Sequence, residues 1–227
     1  MRGVYRGQLE KGIKVAERKH LTHAFRLEAF TVVWNVVEAG VAVGAGIAYG
    51  STALVAFGFD SMIEVAAAVI LAWRLLAEIK GDADSEEKVE RIERKAAFWV
   101  GVTFFLLAAY VLYESVEALI SGMRPHPGMV GVALAAVSAA VMPVLWRMKL
   151  KAADRVGSSA MKAEAAETVI CAYLSFILLA GLLLEKFFGL WWADSAAALF
   201  MLYFIVREGW EAIEESRGKK CGCGCGH

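Results

Sequence analysis

The sequence predicts an all-α, polytopic membrane protein with six transmembrane helices and both termini cytoplasmic. Three observations carry that reading. First, 59% of the 227 residues are hydrophobic, well above the roughly 45–50% of an ordinary soluble domain. Second, the charged residues gather at the N-terminus, over 74–95, over 146–163 and at the C-terminus, with long apolar runs between them. A bilayer-spanning helix needs about 20 mostly apolar residues, and several such runs are present. Third, lysine and arginine are strongly partitioned. They number seven in 1–26, six in 74–95, five in 146–163 and four in 207–227, whereas the intervening loops carry only Arg124 and Lys186. Positive residues mark the cytoplasmic side, so both termini are expected there, which demands an even number of crossings.

The spans are expected at 27–49, 53–76, 96–120, 128–146, 163–184 and 190–208. Each is bounded by charge or by glycine and proline, as at Gly50-Ser51 and between Gly122 and Gly128. None alternates in the two-residue period of a barrel strand, and backbone groups in lipid must pair internally, so helices are the expected form. Residues 1–26 read as a basic amphipathic cytoplasmic segment, 27–210 as the membrane domain and 211–227 as a cytoplasmic Cys-rich tail. Trp73, Trp99, Trp146 and Trp210 fall at the cytoplasmic ends and Trp191-Trp192 at an outer end, as an interfacial belt requires. Glu87–Arg91 and Glu90–Arg94 mark a solvated helical extension of the third span. Zero net charge and few cysteines exclude a basic nucleic-acid binder and a disulfide-stapled secreted domain.

Acidic side chains inside apolar runs carry the functional signal, because a charge at bilayer depth costs at least about 2.5–3.5 kcal/mol. Asp60 and Glu64 stand four residues apart in span two, on one helix face. Glu164, Glu167 and Cys171, with Ser175 beyond, form a stripe on span five. Neither helix has a lysine or arginine in its apolar interior to neutralise these acids, so they either stay protonated or bind a cation. Pairs at i,i+4 on two facing helices supply four donors around one point: Asp60, Glu64, Glu167 and Cys171. That set suits a tetrahedral ion such as Zn²⁺. Asn35, Glu38, Glu164 and Ser175 are candidate supporting or proton-path residues. Asp194 is expected to cap span six, and Gly40, Gly44, Gly46 and Gly50 to form a close helix-packing surface. Pro143 is expected to kink span four. His20 and His23 read as interfacial.

The segment Ser51-Thr52-Ala53-Leu54-Val55-Ala56-Phe57-Gly58-Phe59-Asp60-Ser61-Met62-Ile63-Glu64 resembles the second-helix signature of the cation diffusion facilitator family. Ala163-Glu164-Ala165-Ala166-Glu167-Thr168-Val169-Ile170-Cys171 is similar to its fifth-helix signature, and Trp192 to Ala198 resembles the start of its sixth helix. The resemblance covers roughly 27–210. It implies a proton-coupled exporter of divalent metal in the inner cell membrane, with ligands at Asp60, Glu64, Glu167 and Cys171. Glu167 stands where a histidine is common and Cys171 where an aspartate is usual. Only about twenty residues follow span six, so the family's cytoplasmic dimerising domain is not expected, and a homodimer would have to form through the helices. Carboxylates suit harder ions and a thiolate softer ones, which puts Zn²⁺ first, with Cd²⁺, Co²⁺, Mn²⁺ and Fe²⁺ as alternatives.

The chain closes with Cys221, Cys223, Cys225 and His227 on alternating glycines, four soft donors in seven residues. Cytoplasmic thiols stay reduced, so the tail reads as a metal collector or sensor. The rival reading is a membrane metal-binding or sensing protein that does not transport. An intramembrane enzyme is disfavoured, because no H-E-x-x-H pair or Ser/His constellation lies at bilayer depth. Metal, protons and lipid are the expected partners, and no nucleic acid.

Overall fold

A computed structural model of the chain describes residues 2–80, 86–122 and 128–217. Every regular element among them is a helix: α1 (Arg2–Tyr49), α2 (Thr52–Lys80), α3 (Glu86–Ser121), α4 (Met129–Val156), α5 (Ser159–Phe188) and α6 (Ala193–Ser216). Five helices contain stretches long and apolar enough to cross a bilayer, namely Lys19–Tyr49, Thr52–Leu76, Ala97–Ser121, Met129–Val156 and Glu164–Phe188. The sixth expected span is also a helix, but its apolar run is interrupted by Asp194 in the first turn and by Arg207-Glu208. The Cys221–His227 tail lies outside the described residues.

α3 begins at Glu86, within the helical extension expected before its span, and α1 and α5 also begin early. α1 runs without a break through the 26/27 boundary. α5 begins at Ser159 rather than at 163, because Ser158 caps it: its hydroxyl accepts the Met161 N–H at 3.3 Å. Eight residues of helix therefore precede Glu167, which places it well inside the element. Pro143 sits within α4, which continues to Val156.

The α1–α2 and α4–α5 pairs are hairpins closed by the same two-residue chemistry, Gly50-Ser51 and Gly157-Ser158. Both glycines take positive φ, 70° and 74°, a left-handed conformation that ends a helix without a Cβ penalty. Ser51 repeats the capping role of Ser158, its hydroxyl accepting the Leu54 N–H at 3.1 Å.

The packing has a simple plan: α1 lies chiefly on α2, α4 on α5 and α3 on α6, while α1 and α4 meet across the centre. Buried positions Thr31, Asn35, Glu38, Ala39, Ala42 and Ala45 on α1 match Gly131, Ala135, Ser138, Ala139, Met142 and Leu145 on α4, each 100 residues later. The helices run in opposite directions, since Glu28 pairs with Lys149 and Glu38 with Ser138. One face of each is thus matched to the other about the Glu38–Ser138 contact.

The glycine expectation needs correction. A Cβ on Gly46 would lie 2.8 Å from the Val55 backbone nitrogen, and one on Gly58 would lie 2.9 Å from that of Val43. These two glycines let α1 and α2 touch backbone to backbone. Gly40 and Gly44 meet nothing within 4 Å and are exposed, a third of a turn or more around α1 from Gly46. Asp194 differs as well. Its carboxylate accepts from Ser51 Oγ at 2.5 Å and from the Ala53 N–H at 3.4 Å, so it caps α2 rather than its own helix. The orphan N–H groups at the start of α2 are buried away from water and need an acceptor from a neighbour, and α6 begins beside them.

Candidate metal centre

Polar groups line the bundle interior in levels, and helix geometry sets their order. Beginning at the Ser51 end, the first level is Asp194 with Ser51. Next comes Glu38, whose carboxylate accepts from Ser61 Oγ at 2.9 Å and from Ser138 Oγ, tying α1 to α2 and α4. Asp60, Glu64 and Cys171 follow. The last level, toward the α4–α5 turn, holds Glu28, Lys149, Glu164 and Thr168.

Of the four residues expected to bind metal, three are buried in the bundle interior. Asp60 and Glu64 are buried on α2, with 6% and 9% exposure, and Cys171 is buried on α5 at 1%. The Cys171 thiol lies beside both carboxylates. Glu167, one turn before Cys171, is half-buried and makes contacts of its own. Among the described residues, no three His, Cys, Asp or Glu side chains converge closely enough to hold an ion as they stand. Convergence on a cation would require local movement of these side chains.

The supporting residues divide in the same way. Asn35 Nδ2 donates to Glu64 Oε2 at 2.8 Å, so α1 orients a carboxylate of α2. Ser175 instead donates to the Cys171 carbonyl at 2.8 Å, within its own helix. His20 and His23 are exposed.

Glu164 corrects an expectation. The acids of α2 and α5 have no basic partner in the apolar interior of their own helices, but Lys149, fully buried on α4, bonds to Glu164, donates to Thr168 Oγ1 at 3.1 Å and pairs with Glu28 Oε2 at 3.4 Å. The partner comes from another helix, which a reading confined to spans two and five could not supply. Lys149 was counted among the cytoplasmic lysines; withdrawing it leaves the charge asymmetry intact. A signal for it does exist in the sequence, because Ser138, Met142, Leu145 and Lys149 recur at helical spacing on the buried stripe of α4. Glu28 could have been found in the same way, seven residues before Asn35. Glu208 of α6 is a further acid within electrostatic reach of Asp60.

Comparison with known proteins places this arrangement in context. The chain is 26% identical over 172 residues to the manganese efflux system protein MneS of Bacillus subtilis, covering 75% of this chain and 59% of that protein. It is 25% identical over 178 residues to an uncharacterized transporter of Methanocaldococcus jannaschii, covering 78% of this chain and 62% of that one. An uncharacterized transporter of Synechocystis is 25% identical over 182 residues, covering 78% and 57%. The chain thus spans about three-fifths of the length of the curated relatives it matches. The sequence model of the cation efflux transmembrane domain matches residues 29–218, which take in α2 to α6 and the part of α1 that carries Asn35 and Glu38. With most of its length matched by that domain model, the chain belongs to the cation efflux family.

Proposed function

We propose that this protein is a proton-coupled exporter of a divalent metal ion, which binds between α2 and α5 at Asp60, Glu64, Glu167 and Cys171. The observation that carries the reading is the burial of two carboxylates of α2 beside a thiol of α5, deep in a membrane bundle. Groups of this kind are costly in lipid and are retained where an ion or proton passes. Metal requires deprotonated ligands, so binding from the cytoplasm releases protons from the carboxylates and from Cys171. Rearrangement of the hairpins then opens the site outward, where protons moving down their gradient reprotonate the ligands and expel the ion. Glu167, one turn before Cys171 on α5, would complete the set.

Zn²⁺ is the first candidate, because a thiolate with carboxylates in four-coordinate geometry suits it. The name of the Bacillus subtilis relative makes Mn²⁺ the ion to test against it. Cys221, Cys223, Cys225 and His227 would collect metal at the cytoplasmic face, and a homodimer would form through exposed helix surfaces. The test is metal-driven proton release in proteoliposomes holding only this protein. Asp60→Ala or Glu64→Ala should abolish it. Undiminished release in both variants would refute the site, and no flux in the unaltered protein would favour a binding or sensing role.

A further inference from the structure

The level of the bundle nearest the α4–α5 turn has chemistry that the exporter reading leaves unused. Lys149 reaches from α4 into the space between α1 and α5, where its ammonium meets Glu28 of α1 and Glu164 and Thr168 of α5. Glu28 and Lys149 are both completely buried. The group is not balanced, since two carboxylates surround one ammonium. Three of their oxygens (Glu28 Oε1, Glu28 Oε2 and Glu164 Oε2) have no hydrogen-bond donor, although Glu28 Oε2 is 3.4 Å from the ammonium. Buried acceptors of this kind are expensive, and an uncompensated one asks for an occupant.

Oxygen donors from two helices around one position are the surroundings that hard and borderline divalent cations take. Two carboxylates neutralise one divalent ion fully, whereas one ammonium leaves a charge over. A lysine head is a compact point charge on a flexible four-carbon stem, so it can fill such a position and also withdraw from it. Glu164 and Cys171 are seven residues apart on α5, as are Glu28 and Asn35 on α1, which sets the two levels about 10 Å apart along the axis at ~1.5 Å per residue. Lys149 is also within electrostatic reach of Glu64, so the levels sense each other.

We infer that Glu28, Glu164 and Thr168 form a second divalent-cation position on the path between the α4–α5 end and Glu64, with the Lys149 ammonium seated there as a tethered substitute. A divalent ion on its way to Glu64 exchanges with the ammonium, which returns once the ion has moved on. Lys149 thereby keeps the position filled between ions and sets how readily a cation is admitted. This rests on the Asp60–Glu64 reading above.

The experiment is equilibrium Mn²⁺ uptake by the purified full-length protein, with the thiol tail common to every variant. Lys149→Met should take up one equivalent more than the unaltered protein, and Lys149→Met combined with Glu28→Gln should lose that extra equivalent. Equal uptake by Lys149→Met and the unaltered protein would overturn the second position. The Glu28→Gln single variant leaves Lys149 paired with Glu164, so the test does not hinge on the fold of Lys149→Met. Its KM for Mn²⁺ flux should rise several-fold while uptake at Asp60–Glu64 persists; an unchanged KM would also overturn the inference. If Asp60→Asn with Glu64→Gln takes up as much Mn²⁺ as the unaltered protein, the Asp60–Glu64 reading itself fails, a result distinguishable from the others.

Discussion

Asn35→Leu separates the role of a supporting hydrogen bond from the fold around it. Asn35 is fully buried, and its one described bond runs from Nδ2 to Glu64 Oε2 at 2.8 Å, while its Oδ1 accepts nothing. Leucine is close to asparagine in shape, so the substitution removes the donor without opening a large cavity, and it also removes an unsatisfied buried acceptor. Removal of the unsatisfied Oδ1 offsets the acceptor left unpaired on Glu64, each worth about 1–3 kcal/mol, so thermal stability should change little. Metal binding should weaken, because an ionised Glu64 loses a donor that fixes its orientation. A hydrogen bond to a charged group contributes about 1.5–3 kcal/mol, and about 1.4 kcal/mol is tenfold in an equilibrium constant. The dissociation constant for Zn²⁺ or Mn²⁺ should therefore rise about 10- to 100-fold, the range seen when an outer partner of a metal ligand is removed. Titration calorimetry on the purified protein reads the affinity, and a thermal melt in the same detergent reads the fold. An affinity within about twofold of the unaltered protein, alongside a loss of binding in Glu64→Gln, would refute the positioning role of Asn35.

Two further outcomes follow from the same geometry. Cys171→Asp should retain transport and shift preference from Cd²⁺ toward Mn²⁺, because a soft thiolate gives way to a hard carboxylate; competition assays in proteoliposomes that show unchanged selectivity would argue against thiol ligation. Asp194→Ala removes the acceptor for Ser51 and Ala53 at the start of α2. It should cost about 0.5–2 kcal/mol as a lost cap, lowering the melting temperature while leaving metal affinity unchanged, since that end of the bundle is remote from Glu64.

The candidate site was partly legible in advance because its signal is local. Asp60 and Glu64 advertise themselves by being acids in an apolar run, and their four-residue spacing fixes a shared face whatever surrounds the helix. The same holds for the stripe on α5, although burial favours Glu164, Thr168, Cys171 and Ser175 over Glu167. What could not be read locally were choices between partners. Lys149 stands among Arg147, Lys151 and Arg155, and although helical spacing puts it on the stripe of Ser138, Met142 and Leu145, only the approach of α1 and α5 decides that its ammonium meets Glu28 and Glu164.

By itself the sequence determined that the chain is helical, where the apolar runs lie, and that α2 and α5 carry ligand-type side chains, because hydropathy and helical period belong to each segment alone. Tertiary structure decided which buried charges meet. Glu164 and Glu28 acquire Lys149, Glu64 acquires Asn35, and the start of α2 acquires Asp194 from α6. The physical reason is that desolvated polar groups must be satisfied by whatever lies within about 3 Å, and what lies there depends on how the helices pack, not on the order of residues along any one of them.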